Sequence, residues 1–457
     1  MNRLMIPAAA VAAAAAIVTA GCASAGASGP GSADGAATIA PANAVAFIAA
    51  STDLGSSEWH GVGKQFMTKF KSLAPALGSE LDVAVLPSKA IVGFTQPQDS
   101  AKLNALAKQL GVQTRAIGGW TAIAKTSAAL DAVANATSHL ADNTLFTEAM
   151  NRLPSGALVR AYANGQEALT LISSIPGQLE TTIAPAGVHY RVIKKNHQLS
   201  RGTVGTTDFR WVAAALTSTS DGLKLEAFTR TGGLTATAAP RYLVHPTPPY
   251  ASVLVDEIPS GALAVVDLQV TSGMFENLGT LPAPLVQFLG AANAASLPHQ
   301  LDTLLGGETA IYVRPSLPMP EVTLVTQPAD TAAASQALDE ILAELPSKSM
   351  FSGIKLYRKT MGGQFVVSTT QQGLVDFSGG GARLSADPSF LAAKTQSGMG
   401  ATTTGFVYAS VKDALPLLSL AGVKLPAGLP SFGTFMAYGG QTSTESSLTA
   451  FLGVASS

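Results

Sequence analysis

Two glutamates are the residues of this sequence whose type and placement first suggest chemistry. Glu80 follows Leu77-Gly-Ser and Glu308 follows Leu305-Gly-Gly, so each acid comes shortly after a glycine-containing turn. A hydrolase that uses paired carboxylates needs two such groups within several ångströms of each other, which these acids could supply across a cleft between two parts of the chain. A repeated acid beside a glycine also suits turn or backbone hydrogen bonding. We favour this structural interpretation over catalysis.

The motifs of other reaction classes are absent from the sequence. It contains no Gly-x-Ser-x-Gly, no Gly-x-x-x-x-Gly-Lys-Ser/Thr and no Gly-x-Gly-x-x-Gly that opens a helix. The 6 histidines form no His-x-x-x-His or His-Glu pair that would place two metal ligands on one helix face. We therefore predict no metal and no cofactor, and favour a protein that is not an enzyme.

The N-terminus resembles the export signal of a bacterial lipoprotein. Residues 1–3 carry a positive charge, residues 4–18 are apolar, and Thr19-Ala-Gly-Cys22 is a small-residue site that ends in the only cysteine. We predict a signal peptide over residues 1–21 and a lipid attached to Cys22. Thr19 stands where such sites usually carry leucine, which leaves ordinary secretion or an uncleaved anchor as alternatives. A membrane-spanning helix is disfavoured, because the apolar run is short and begins near Pro7.

The residues after Cys22 are small and polar, so we predict a flexible tether over residues 22–38. Such a tether would hold the folded part close to the extracytoplasmic face of the cell membrane. The chain carries 28 Lys+Arg against 29 Asp+Glu. With a net charge near zero, the chain has no overall positive potential that would attract nucleic acid. We therefore expect no nucleic-acid partner.

One cluster of positive charge stands out in a sparingly charged chain. Arg191, Lys194, Lys195 and Arg201 have no acid between them. They could form a small patch that faces an anion such as a lipid phosphate. A solvated hairpin tip is the alternative that we favour.

Short sequence segments recur in the same order along the chain, which predicts an internal duplication. Pro41-Ala-Asn-Ala-Val-Ala-Phe47 returns as Pro259-Ser-Gly-Ala-Leu-Ala-Val265, and Thr95-Gln-Pro-Gln-Asp99 returns as Thr326-Gln-Pro-Ala-Asp330. Leu140 with Phe146 matches Leu384 with Phe390. Two homologous halves are predicted, over residues 39–233 and 251–457, joined by a proline-rich connector over residues 234–250.

Each half shows an α+β pattern in which we expect one antiparallel sheet packed with helices. β-rich runs around polar turns predict hairpins over residues 209–216 with 223–231, and over residues 435–439 with 447–454. Asp99 and Asp330 each precede a helical run of leucines, so both are predicted to cap a helix N-terminus.

Several of these segments together make the chain resemble an uncharacterised family of exported bacterial lipoproteins, which is defined only by a domain of unknown function. They are the Pro41 entry strand, the Leu-Gly-Gly-Glu308 turn, the Gln-Pro-x-Asp caps, the Leu384-x-x-Asp-x-x-Phe390 stretch and the junction that runs from Pro248-Pro-Tyr250 to Leu263. The resemblance spans nearly all of the predicted mature chain, which begins at Cys22. It implies export and duplication, and it carries no activity and no functional residues to this chain.

These observations favour a lipid-anchored extracytoplasmic envelope protein that binds an apolar ligand or a protein partner, or that acts as a scaffold. A lipid or another envelope protein is the expected partner. We expect the partner in an apolar groove at the seam between the halves. The alternative is a secreted hydrolase of novel type that uses acids in a cleft between the halves.

Overall fold

A computed structural model describes most of the chain after residue 34. The described residues are 35–52, 74–165, 167, 194–195, 198–199, 209–232, 248–275, 293–317, 320–344, 355–420 and 432–454.

The described residues form an α+β fold built on one antiparallel sheet of sixteen strands. The strands from the first part of the chain are β1 (Ala46–Ser51), β2 (Glu80–Val85), β3 (Ile91–Thr95), β4 (Gln113–Ile117), β5 (Trp120–Ala124), β6 (Val159–Asn164), β9 (Phe209–Thr219) and β10 (Gly222–Thr231). Those from the second part are β11 (Ala264–Val270), β12 (Gly307–Arg314), β13 (Glu321–Thr326), β14 (Tyr357–Met361), β15 (Gln364–Ser368), β16 (Gly405–Ala409), β17 (Phe432–Gln441) and β18 (Glu445–Val454). Two short strands, β7 (Lys194–Lys195) and β8 (Gln198–Leu199), pair apart from this sheet.

Helices connect the strands. The α-helices of the described residues are α1 (Ala74–Leu77), α2 (Ser100–Leu110), α3 (Ser127–Ala134), α4 (Thr144–Arg152), α5 (Asn293–Leu305), α6 (Thr331–Glu344), α7 (Gln371–Ser378), α8 (Pro388–Ser397) and α9 (Val411–Leu420). Short 3₁₀ helices lie at Ala36–Thr38, Leu140–Asp142, Leu254–Asp256 and Leu384–Ala386. The α+β class is confirmed.

The expectation of a separate sheet in each half is wrong, because the sheet continues from one half into the other. Its order is β14-β15-β13-β12-β11-β16-β17-β18-β10-β9-β6-β1-β2-β3-β5-β4. At the centre, β10 pairs with β18 in antiparallel register from Gly222↔Gly453 to Arg230↔Glu445. Main-chain hydrogen bonds satisfy the edge that either half alone would expose.

Two hairpins meet at this centre. β9 pairs with β10 and β17 pairs with β18, which confirms both predicted hairpins. The turn between β9 and β10 brings Gly222 against β18, where a Cβ atom on Gly222 would lie 2.2 Å from the carbonyl oxygen of Leu452. Only a glycine fits this close approach of two backbones.

The two larger clusters of buried apolar residues lie on one face of the sheet, under helices and 3₁₀ turns, and two smaller clusters lie on the opposite face. In the first half, Phe146 of α4 meets Tyr162 of β6 edge to face, with ring centroids 5.2 Å apart. In the second half, Phe390 of α8 meets Tyr408 of β16 in the same way, at 5.3 Å. All four side chains are almost fully buried. This face, which carries the core, is called the core face below.

Both predicted helix caps are confirmed. The Asp99 carboxylate accepts a hydrogen bond of 3.0 Å from the amide of Lys102 in the first turn of α2. The Asp330 carboxylate accepts hydrogen bonds from the amides of Ala332 and Ala333, at 2.8 and 3.1 Å, in the first turn of α6.

The predicted boundaries of the tether and the connector need correction. The tether was expected to reach residue 38, yet Ala36 and Ala37 are fully buried in the core of the first half. The connector was expected to reach residue 250, yet Tyr250 forms a bridge with Thr403 and donates a hydrogen bond to Asp267. These segments have the composition of a linker, but Ala36 and Ala37 pack in the core and Tyr250 is bonded to residues of the sheet and its loops.

Candidate functional site

The face of the sheet opposite the core face carries a row of apolar side chains. Residues that lie directly across from each other on neighbouring strands point to the same side of a sheet, so the strand registers define the row. It crosses twelve strands from β15 to β2 and consists of Val367, Leu324, Ile311, Val266, Val407, Ala437, Ala450, Leu225, Leu216, Val159, Ala50 and Leu81.

Two further rows flank this one, two residues away along each strand. One comprises Gly439, Leu448, Ala227, Ala214, Ala161, Ile48, Val83, Gly93 and Ile123. The other comprises Val322, Val313, Ala264, Ala409, Phe435, Leu452 and Leu223. The three rows contain only glycine, alanine, valine, leucine, isoleucine and phenylalanine. We call this surface the apolar face.

The charged residues of the central strands lie on the other side. Asp82, Arg160, Asp267 and Glu308 point into the core face, where they are buried. An antiparallel sheet with one solvated side normally alternates apolar and polar residues along each strand. Here the three rows carry no charged side chain, and the same side also carries threonines such as Thr229, Thr309 and Thr326. A wide uncharged surface of this kind is typical of a contact with something apolar.

Part of the apolar face is covered and part of it is open. Leu304 of α5 and Leu338 of α6 pack over Phe365 and Val367 at the β15 end. Ile311, Val322 and Val407 remain 41, 39 and 37% exposed. They lie on β12, β13 and β16, with Val266 directly between Ile311 and Val407. We call these four residues the open patch.

The second half also contains a buried carboxylate pair on its core face. The carboxylate of Glu308 accepts hydrogen bonds from the hydroxyl of Ser252 at 2.7 Å and from the amides of Val253 and Leu254 at 3.1 and 3.0 Å. These amides open the 3₁₀ helix at Leu254–Asp256. The predicted role of Glu308 in backbone hydrogen bonding is confirmed.

Asp267 completes this pair from the neighbouring strand. It accepts hydrogen bonds from the hydroxyls of Tyr250 and Ser252. Burial raises the pKa of Asp267 to about 7, and the hydrogen bonds from Tyr250 and Ser252 oppose this shift while Glu308 adds to it. The pKa of Tyr250 is also raised, mainly by burial and then by the charge of Asp267.

The first half contains a second pair, formed by Glu80 and Asp82 of β2. Asp82 is fully buried and accepts a hydrogen bond of 2.8 Å from the amide of Ala36, at the start of the 3₁₀ helix Ala36–Thr38. Burial, followed by the charge of Glu80, raises the pKa of Asp82 to about 8. Burial raises the pKa of Glu80 as well, against the opposing effects of Asp82 and Arg160. Each pair therefore holds a short 3₁₀ helix against the sheet.

The alternative that joins Glu80 to Glu308 in one catalytic cleft does not fit this arrangement. β2 and β12 are nine positions apart in the sheet, a path of about 43 Å at roughly 4.8 Å per strand. Each glutamate instead has an aspartate of its own half as its partner. The sequence could not show this, because neither aspartate occupies a repeated position.

Two clefts of the described residues lie in separate halves. One, of about 650 Å³, is lined by polar side chains that include Asn43, Asn135, Asn143 and Asn164. The other, of about 500 Å³, lies between the start of β12 and the start of α6 and includes Asp302 and Asp330. Neither cleft lies at the β10–β18 junction, where the seam groove was predicted and where the described strands pair directly.

The remaining predicted site residues are mostly outside the described part. Cys22, Arg191 and Arg201 lie outside the described residues. Lys194 and Lys195 form β7, which pairs in antiparallel register with β8. Among the described residues, no group of three or more His, Cys, Asp or Glu side chains could hold a metal ion. Nor does any described helix have the length and apolar character needed to cross a membrane.

Comparison with known proteins adds little to these observations. No protein-family model matches the chain, and no curated protein sequence matches it. A solved structure described as "Structure of crystal form I of TP0453" aligns with 45% of this chain and 82% of its own, with 11% sequence identity and a TM-score of 0.25. The similarity to that protein is limited to this low structural and sequence agreement.

Proposed function

We propose that this protein is a lipid-anchored extracytoplasmic envelope protein that binds the hydrocarbon part of a lipid on its apolar face. The observation that carries the proposal is the charge-free surface of three rows, with its open patch on β13, β12, β11 and β16. Removing apolar surface from water yields roughly 25 cal/mol per Å², so a face without charges binds hydrocarbon without burying an unpaired charge.

The chemistry of the face favours a lipid over a protein partner. Protein interfaces concentrate their binding energy in tryptophan, tyrosine and arginine anchors. The three rows contain none of these residues, and Phe435 is the only aromatic side chain in them. Their main-chain groups are already paired in the sheet, so an added strand has no place to bind at the centre of the face.

The proposed anchor would bring this face close to its ligand. The described part of the chain begins at Gly35, 13 residues after Cys22. A flexible tether of this length has a root-mean-square reach of roughly 20 Å. Two acyl chains on Cys22 would suffice for stable attachment to the membrane surface.

We further propose that the two halves arose by duplication. Counted from the central β10–β18 pair, one half runs β10-β9-β6-β1-β2-β3-β5-β4 and the other runs β18-β17-β16-β11-β12-β13-β15-β14. The strands at equal distance from the centre also have the same rank in the chain order of their own half. The matching 3₁₀ helices before β1 and β11, and the matching aromatic pairs, also support the proposal.

Intact-mass analysis of the protein extracted from its own host membranes tests the anchor. We expect a mature chain that begins at Cys22 and carries the added mass of a diacylglyceryl group. The variant Cys22→Ser should leave the membrane fraction. A mature N-terminus elsewhere, or unchanged membrane retention of Cys22→Ser, would contradict the anchor.

Native mass spectrometry of the same preparation tests the binding function. We expect a non-covalent lipid adduct on the wild-type protein and its loss in Val407→Lys, which places a charge in the open patch. A bound protein instead of a lipid would favour the scaffold function. A wild-type protein without any adduct would contradict the proposal.

A further inference from the structure

The residues that enter the first half form a strap over its core. Residues 40–45 of this strap are held by main-chain hydrogen bonds, from the amide of Ala42 to Ser138, from Leu140 to Ala40 and from Val45 to Val85, at 2.8–3.0 Å. Residues 35–39, by contrast, are joined to the sheet through one described hydrogen bond, from the amide of Ala36 to Asp82. We call residues 35–39 the entry turn.

The entry turn lies directly on the carboxylate pair of β2. A Cβ atom on Gly35 would lie 2.8 Å from Asp82 Oδ2 and 3.1 Å from Glu80 Oε1, so the backbone fits against both side chains. The other oxygen of Asp82, Oδ1, is buried without a hydrogen-bond partner among the described residues. The free-energy cost of burying such a carboxyl group depends strongly on whether the group carries a proton.

Among the described residues, few other charges lie near this pair. Arg160 of β6 is buried and attracts both carboxyl groups. Ala49 of β1 lies between Asp82 and Arg160 in the strand register, and the entry turn itself contributes no charged side chain. His139 and Asp142 contact each other at 4.0 Å beside Pro41, two residues after the entry turn.

We propose that the entry turn is a pH-sensitive latch, closed while the Glu80–Asp82 pair holds a proton and released when both carboxyl groups are ionised. Two ionised carboxylates on the same strand face repel each other, and Arg160 balances only one of the two charges. The side chains that the turn must pull from the core are Ala36, Ala37 and Ile39. Two of them are alanines, which contribute little apolar area, so most of the apolar side-chain area that the turn itself withdraws from the core belongs to Ile39.

The direction of the switch follows from the acids. The hydrogen bond from the amide of Ala36 favours ionised Asp82, but burial and the charge of Glu80 outweigh it and raise the pKa of Asp82. The pKa of Glu80 is raised as well, so the closed latch holds a proton that the open, solvated carboxyls give up. The latch is tightest at acidic pH and loosens as the pH rises towards about 8, the pKa of Asp82 in the folded state.

Release would lengthen the link between the body and residues before Gly35. Five residues, 35–39, would pass from the body to the link, an extension of at most roughly 17 Å. The corresponding 3₁₀ helix of the second half is held more fully, because both oxygens of Asp267 accept hydroxyl hydrogen bonds and Glu308 accepts two amide hydrogen bonds. The latch therefore belongs to the first half.

Hydrogen exchange of the full chain, corrected for the intrinsic pH dependence of exchange, tests the proposal. We expect the protection of the amides of residues 36–40 to fall at least tenfold between pH 5.5 and pH 8.5, relative to the amides of β10 and β18. Asp82→Asn should abolish most of this fall, because its side chain cannot ionise. His139→Asn should keep it, because this histidine lies beside Pro41 and makes no described contact with Glu80 or Asp82.

Glu80→Gln provides a second variant if Asp82→Asn fails to fold. It removes the repulsion between the two carboxylates and should also reduce the fall in protection. Equal protection of residues 36–40 at both pH values in the wild-type protein would overturn the proposal. An unchanged fall in Asp82→Asn or Glu80→Gln, or a parallel fall in β10 and β18, would overturn it too.

Discussion

The strand pair β1–β2 of the first half and the pair β11–β12 of the second half each carry one buried aspartate, Asp82 and Asp267, but the two aspartates do not lie on corresponding strands. Asp82 of β2 faces Ala49 of β1, whereas Asp267 of β11 faces Ala310 of β12. Counted from the centre of the sheet, β1 corresponds to β11 and β2 to β12. Relative to the centre of the sheet, the positions of the aspartate and the alanine are thus exchanged between the two halves, and each half has one aspartate beside its glutamate.

This exchange predicts that the aspartate of the first half can be moved across its strand pair. Asp82→Ala should lower the free energy of unfolding by about 1–3 kcal/mol at pH 5, because the amide of Ala36 loses its buried acceptor. Adding Ala49→Asp should restore about half of this loss, since neighbouring sites of this kind are coupled. Urea unfolding of the single and double variants gives the measurement. A double variant less stable than Asp82→Ala would show that the two positions are not interchangeable.

The second half should become less stable as the pH rises. The pKa of Asp267 is about 7 in the folded protein, against about 3.9 in an unfolded chain. The folded state thus binds more protons between pH 4 and pH 7, and the free energy of unfolding falls across this window.

We expect Asp267 to account for a loss on the order of 2 kcal/mol between pH 4.5 and pH 8. Urea midpoints at these two pH values measure it. Asp267→Asn should show a smaller difference between them than the wild-type protein. A midpoint that rises with pH in the wild-type protein, or equal pH dependence in the variant, would count against the role of this carboxyl.

The cap of α6 should be structural. Asp330→Ala should lower the free energy of unfolding by about 1 kcal/mol, because two first-turn amides lose their acceptor. Asp330→Asn keeps an acceptor oxygen and should cost much less, so it serves as the matched control. Binding of a lipid should be unchanged in both variants. A variant with wild-type stability and no binding would make Asp330 functional.

Each half expressed alone should associate with itself. Separation leaves β10 or β18 as an unpaired edge ten residues long, and such edges recruit other strands. Sedimentation should show oligomers of each half, and mixing the halves should give a one-to-one complex. Two stable monomers that do not combine would mean that the β10–β18 pairing is dispensable.

The parts of the fold that depend on local patterns could be predicted from the sequence. The hairpins at the ends of both halves and the caps at Asp99 and Asp330 rest on neighbouring residues, and all of them are confirmed. The joining of two expected sheets into one depends on pairing between residues more than two hundred positions apart, such as Leu225 and Ala450. No local pattern encodes that contact.

The apolar face escaped the sequence analysis for a related reason. Strands such as Ala264–Val270 read as nearly continuous apolar runs, which suits a strand buried on both sides as well as one with an open face. Only the register shows that Val266, Ile311 and Val407 lie side by side. Likewise Asp82 and Asp267 are not repeated in sequence, so only the structure reveals them as counterparts.

The most direct test of the proposed binding function compares two valine-to-lysine variants in a titration with a fluorescent fatty-acid analogue. Val407 is 37% exposed in the open patch, and Val375 is 53% exposed on α7, away from the apolar face. We predict that Val407→Lys weakens binding at least tenfold, while Val375→Lys binds like the wild-type protein and both variants unfold at similar urea concentrations. Equal binding by Val407→Lys and Val375→Lys would contradict the assignment of the apolar face as the lipid site.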